Sequence, residues 1–214
     1  MRGDGPDPRR LTLAPLAFLK WQYLCHAGPT EAAAFGLSAE HDPLYLDDLL
    51  VVRQRVTAVT AAFDDAAVAD LFDEMADAGI APARFARVWL HTHPGRSPEP
   101  SRTDEATFAR AFGRCDWSVL AVLARSGHGY ARLHFAAGPG GSVELPVAVD
   151  WAAWPAAAAD PARPLDDIAA GWRREYAALV VPTPPAGVGA APAHEFGFDG
   201  FADPFLSGAF DGHD

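Results

Sequence analysis

The hydrophobic pattern opens at Leu11. Leu11, Leu13, Leu16, Phe18, Leu19, Tyr23 and Leu24 form a mostly apolar run that predicts a strand continuing into a buried helix, ended by the Gly28-Pro29 breaker. Glu31-Ala32-Ala33-Ala34-Phe35-Gly36-Leu37 and the β-branched, leucine-rich stretch from Leu44 to Val59 predict strands of one sheet. Asp64 or Asp65 can cap a following helix whose Val68, Leu71, Phe72 and Met75 share one face, with Gly79 closing it. Phe85, Val88, Trp89 and Leu90 predict a compact strand that runs into His91-Thr92-His93-Pro94-Gly95, where proline and glycine turn the chain out of the sheet.

Beyond a proline-rich loop, Ser101 or Thr103 can cap a short helix that faces Phe108 and Phe112 inward. Trp117 to Leu123 predicts a strand, and Ser126-Gly127-His128-Gly129 a tight turn into a second one, with Ala131, Leu133 and Phe135 alternating with Tyr130, Arg132 and His134. Val143 to Val149 predicts one more strand. A last amphipathic helix over 164–180 aligns Leu165, Ile168, Trp172, Tyr176 and Leu179. The elements predict one α/β (α+β) domain over 11–180. Residues 1–10 are polar, and 181–214 turn to Pro, Gly and Ala and then a Phe/Asp/Gly series without period, so both ends are expected to be flexible. Phe196, Phe198, Phe201, Phe205 and Phe210 lie among acidic residues and glycines there, as in a short partner-docking motif or an acidic tail with no dedicated partner.

Composition narrows the function classes. Half of the 214 residues are hydrophobic, enough to bury one ordinary core. The formal net charge of -11 argues against a nucleic-acid binder, since phosphate contacts need a basic surface. Cys25 and Cys115 are the only cysteines and form no CxxC, which removes a disulfide framework and a cysteine zinc knuckle; a reducing cytoplasm is the simplest setting. No signal-peptide pattern and no apolar stretch of membrane-spanning length is present. Lys20 is the only lysine, in keeping with an Arg/Ala/Pro-rich coding bias.

The residues with chemistry to offer are His91 and His93. At i and i+2 on a strand they face the same way, so both imidazoles can reach one ion. Asp104, near the start of the next helix, can add a carboxylate. Three protein ligands leave the fourth tetrahedral position to water, the arrangement of a catalytic rather than a structural zinc. His128, in a turn, and His134, on the polar face of a strand, read as solvated residues.

His91-x-His93, Pro94, and Ser101-x-x-Asp104 after seven intervening residues together resemble the signature of the JAMM/MPN zinc metalloproteases, prokaryotic type. With each of these five residue types at about 2–7% usage, a random window matches on the order of once in ten million. The resemblance covers roughly Leu11 to Val149 and implies an MPN/cytidine-deaminase-like mixed sheet flanked by helices. It implies Zn2+ on His91, His93 and Asp104, an upstream glutamate as general base, and Ser101 as donor to the oxyanion. Glu31, Glu40 and Glu74 are the glutamates before His91; Glu31, followed by small residues and a glycine-containing strand, is the most similar to the family's. Ser101-x-x-Asp104 also fits a capping box.

The same resemblance implies hydrolysis of an isopeptide or peptide bond after the C-terminal glycine of a ubiquitin-like or sulfur-carrier protein, with activating and conjugating enzymes as possible partners. The alternatives are a non-catalytic MPN scaffold that binds partner proteins, and a metal-dependent hydrolase of small molecules or nucleotides. The latter lacks a phosphate-cradling glycine loop and a basic pocket. Beside a conjugating system, a single acceptor lysine would also limit modification of the chain itself.

Overall fold

A computed structural model describes residues 9–154 and 165–183. β1 (Leu11–Leu13) leads into α1 (Pro15–Ala27), whose Pro15 occupies the first turn, where a missing N–H costs nothing. β2 (Ala33–Ser38), β3 (Tyr45–Leu50), β4 (Gln54–Val56) and β5 (Ala61–Phe63) follow. α2 (Asp65–Asp77) is capped by Asp64, whose carboxylate accepts from Ala67 N, and Gly79 closes it at φ +71°. α3 (Pro82–Phe85), β6 (Val88–His93), α4 (Arg102–Phe112), β7 (Trp117–Ala124) and β8 (Gly129–Phe135) come next. β9 (Gly141–Glu144), β10 (Val147–Val149), a 3-10 turn over Trp151–Ala153, α5 (Leu165–Leu179) and β11 (Val180–Pro182) complete the described chain.

Eight strands form one mixed sheet in the order β10-β1-β3-β2-β6-β7-β8-β9. β9 and β10 are consecutive in the chain yet stand at its opposite ends. A flat sheet would put them about 33 Å apart across seven strand spacings, whereas the step from Glu144 to Val147 reaches at most about 11 Å. The sheet must therefore curl, and Val147 of β10 indeed packs over Gly129 of β8. Helices flank both faces of this half-barrel. Leu13, Trp21, Leu46, Leu90 and Leu123 build the core on the α1 side, and Phe35, Trp89, Phe108, Phe112 and Val122 the one on the α4 side. The expected α+β class, a mixed sheet flanked by helices, is the one observed.

Three local expectations are corrected. The stretch from Leu44 to Val59 does not feed one sheet: β4 leaves it to form a three-stranded sheet in the order β11-β4-β5. Apolar alternation fixes which face is buried but not which neighbour a strand takes. Phe85 is not in the histidine strand but ends the one-turn α3, which Pro82 starts. The predicted strand from Val143 to Val149 is two strands, because Pro146 has no N–H for the ladder and the chain crosses there from β8 to β1.

α5 packs on α1 through the later part of its expected apolar face, with Tyr23 against Trp172 and Tyr176, while Leu165 at its start is exposed. Lys20, 6% exposed, pins the pair: its Nζ donates to Leu49 O at 2.7 Å and to Glu175 at 3.0 Å. The lone lysine is thus not an open acceptor amine. β11 continues the chain as a strand through Pro182; the phenylalanines of the expected tail, and residues 1–8, lie outside the described residues. None of the described helices is long and apolar enough to cross a membrane.

Candidate metal centre

β6 lies inside the sheet between β2 and β7, and strand alternation decides what it offers to each side. Val88 and Leu90 enter the α1-side core, while Trp89 enters the other. His91 and His93 follow Trp89 in parity and so face α4. In β2, Ala33 and Phe35 point to that same side, which sets the preceding odd position, Glu31, toward the histidines. α4 brings Asp104 in its first turn.

The three predicted ligands converge. His91 Nε2 and His93 Nε2 are 3.2 Å apart; Asp104 Oδ1 is 3.5 Å from the first and Oδ2 is 3.4 Å from the second. Zn–N bonds of about 2.0–2.1 Å at a tetrahedral angle place two ligand atoms roughly 3.3–3.4 Å apart. The two histidine nitrogens stand at about that separation, each has one Asp104 oxygen close by, and two imidazoles with a carboxylate are a donor set that suits zinc. His91, His93 and Asp104 are also a set whose ligand atoms all lie within 4.8 Å of one another.

The surroundings fix these side chains. His91 is 1% exposed and stacks on Trp89 at 4.6 Å between ring centroids, while Trp21 Nε1 donates to its carbonyl. His93 Nδ1 lies 2.9 Å from Ser97 O. A carbonyl only accepts, so Nδ1 carries the proton and Nε2 keeps its lone pair for a metal. Asp104, 4% exposed, accepts from Ser101 N through Oδ2 at 2.6 Å, and its own N–H donates to Ser101 Oγ at 3.2 Å. This is a capping box. The box leaves the Ser101 hydroxyl proton uncommitted among the described residues, so the cap and a donor role do not compete for the same atom.

Glu31 is 4% exposed, with Oε1 at 3.9 Å from His93 Nε2 and Oε2 buried without a hydrogen-bond partner. A buried carboxylate oxygen without a protein donor is available to accept a hydrogen bond from a bound water or ligand. Burial, and then the Asp104 carboxylate, push the Glu31 carboxyl up to about 7 against the opposing pull of His93. Burial pushes His91 down, with Asp104 opposing. Burial works the same way on His93, but Asp104, the Ser97 carbonyl and Glu31 outweigh it and raise this histidine. Asp104 is buried too, yet the two histidine rings beside it, and then its hydrogen bond from Ser101, hold it well below the usual carboxylate range. A dication would deepen that effect and draw Glu31 down as well.

All five expected site residues meet here, whereas Glu40 and Glu74 are exposed. Two parts of the site are missed at the level of sequence. Trp89 reads there only as core, although its i−2 spacing from His91 puts it on the histidine face. The Ser97 carbonyl carries no side-chain signal at all.

No family model matches the chain, and a search of curated proteins finds no match. Among solved structures 107 chains match. One, described as "JAMM: a metalloprotease-like zinc site in the proteasome and signalosome", is 17% identical, covering 64% of this chain and 97% of its own, with a TM-score of 0.34. A JAB1/MPN domain protein from Archaeoglobus fulgidus is also 17% identical over 64% of this chain and 97% of its own, with a TM-score of 0.35. The chain itself presents a mixed α+β fold with a His91-His93-Asp104 triad that could hold a metal ion.

Proposed function

We propose that the chain is a zinc-dependent isopeptidase or peptidase, cleaving after the C-terminal glycine of a ubiquitin-like or sulfur-carrier protein in the cytoplasm. The observation that carries the hydrolase reading is the position of Glu31: a buried carboxylate with one unpartnered oxygen, set against a three-ligand cluster of zinc dimensions. The substrate follows from the motif resemblance, as do activating and conjugating enzymes as partners. His91, His93 and Asp104 would hold the metal, and zinc bound there would supply Lewis acidity and acidify water toward neutrality. Glu31 takes a proton from the attacking water on its free oxygen and passes it to the leaving amine, a task suited to a buried carboxylate beside the ligands. Ser101 turns its free hydroxyl proton to the carbonyl oxygen as negative charge develops, without rearrangement of α4. A non-catalytic scaffold has no use for such a base beside a complete ligand set.

The test is an internally quenched peptide in which a Gly-Gly carboxyl terminus is joined to a lysine ε-amine. The zinc-loaded protein is expected to cleave that isopeptide bond, and Glu31→Gln to retain zinc and lose cleavage. Wild-type turnover in Glu31→Gln would show that another group is the base.

A further inference from the structure

Gln54 is fully buried, at 0% exposure, on a strand outside the sheet that carries the histidines. Nothing in the motif involves it. Its side-chain amide nonetheless makes three hydrogen bonds, all to backbone: Oε1 accepts from Ala33 N at 2.8 Å, and Nε2 donates to Ala33 O at 2.8 Å and to Val52 O at 2.9 Å. The reason lies in the ladder. β3 pairs with β2 only as far as Leu50, opposite Phe35. At Ala33 the edge of β2 facing away from β6 has run out of partner strand, which would leave a buried N–H and C=O unpaired. A primary amide offers the same donor and acceptor as a peptide group, so Gln54 extends the missing strand by one unit.

The segment completed in this way carries Glu31. Glu31 N donates to Thr57 O at 2.8 Å, just beyond β4. Ala32 is held by the residue between the two histidines: its N–H donates to Thr92 Oγ1, and its carbonyl accepts from Thr92 N, both at 2.9 Å. Ala33 then lies opposite His91 in register, with Gln54 behind it. β4 thus holds the Glu31 segment at two points, and is itself buttressed by β11, whose Val180 pairs with Gln54.

We propose that Gln54 is a positioning residue for this site: by substituting for a missing strand at Ala33, its amide holds the Glu31 carboxylate in place against His93. The proposal rests on the reading of Glu31 as the base. A carboxylate displaced by about 1 Å loses on the order of 10²-fold in rate, so the clamp should be visible in turnover while leaving the metal alone.

The test uses the full chain loaded with zinc. Gln54→Met keeps the volume and removes all three bonds. Amide hydrogen exchange across Ala32 and Ala33 is expected to accelerate, while Val88–His93 stays protected and zinc content is unchanged. On the quenched isopeptide peptide, kcat should fall about 10²-fold with KM nearly unaltered. Gln54→Glu, kept neutral by burial, can still accept from Ala33 N and donate to Ala33 O; it should restore most of the turnover, and it serves if the Met variant does not fold. Unchanged exchange at Ala32 and Ala33, wild-type kcat, or a loss of activity matched by loss of zinc would each overturn the positioning role. Full activity in Glu31→Gln would instead overturn the base reading and leave the exchange result standing.

Discussion

Ser101 joins a structural and a chemical duty on one oxygen, and substitution separates them. The structural part is one hydrogen bond from Asp104 N to Ser101 Oγ. Removing it in Ser101→Ala is expected to cost about 1 kcal/mol, the usual loss of an N-cap. For a chain of this length that lowers Tm by roughly 2–4 °C. The companion bond, from Ser101 N to Asp104 Oδ2, is made by backbone and survives, so the ligand keeps its orientation and zinc stays bound. The chemical part is larger: loss of one donor to a developing oxyanion costs about 10²–10³ in kcat. A protein stable by about 5–15 kcal/mol stays almost wholly folded after losing 1, so the cap cannot account for such a drop. Ser101→Gly sharpens the contrast, since glycine caps within a few tenths of a kcal/mol of serine but has no hydroxyl. Calorimetry with kinetics on the quenched isopeptide peptide should place Ser101→Thr, which keeps the hydroxyl, near wild type in both, Ser101→Gly near it in stability only, and Ser101→Ala in neither. If Gly and Ala turn over at the wild-type rate, Ser101 is a cap and no more.

Two further outcomes concern the scaffold. Gly36→Ala would set a Cβ at 3.0 Å from both Leu46 Cδ2 and Val88 Cβ, and such overpacking should cost about 1–3 kcal/mol; urea denaturation should show a lower midpoint at an unchanged slope. Lys20, buried with its Nζ on Leu49 O and Glu175, should resist acylation by an amine-reactive ester in the folded protein and label readily in guanidinium. Labelling of Lys20 at equal rates in both conditions would mean that α5 does not stay docked on α1.

What the sequence makes legible is the part encoded in local periodicity. The parity of His91 and His93 follows from strand geometry alone, and a helix starting near Ser101 or Thr103 follows from its capping residues, with Ser101 the cap observed. Glu31 is of another kind, reached through family resemblance, because its approach to His93 depends on the pairing of β2 with β6, a contact between residues far apart in the chain. Gln54 is less legible still. Between Arg53 and Arg55 it reads as one more solvated polar residue, and its purpose exists only where β3 ends and Ala33 needs a partner. The misplacement of β4 has the same origin: alternation specifies a buried face and leaves the partner strand to tertiary structure.

Zinc stoichiometry tests the central claim most directly. Elemental analysis of the purified chain, with Asp104→Ala in parallel, should find one zinc per chain in the wild type, its removal by chelator lowering Tm, and a much reduced content in the variant. A wild-type chain that binds no zinc and gains no thermal stability from it would contradict the account.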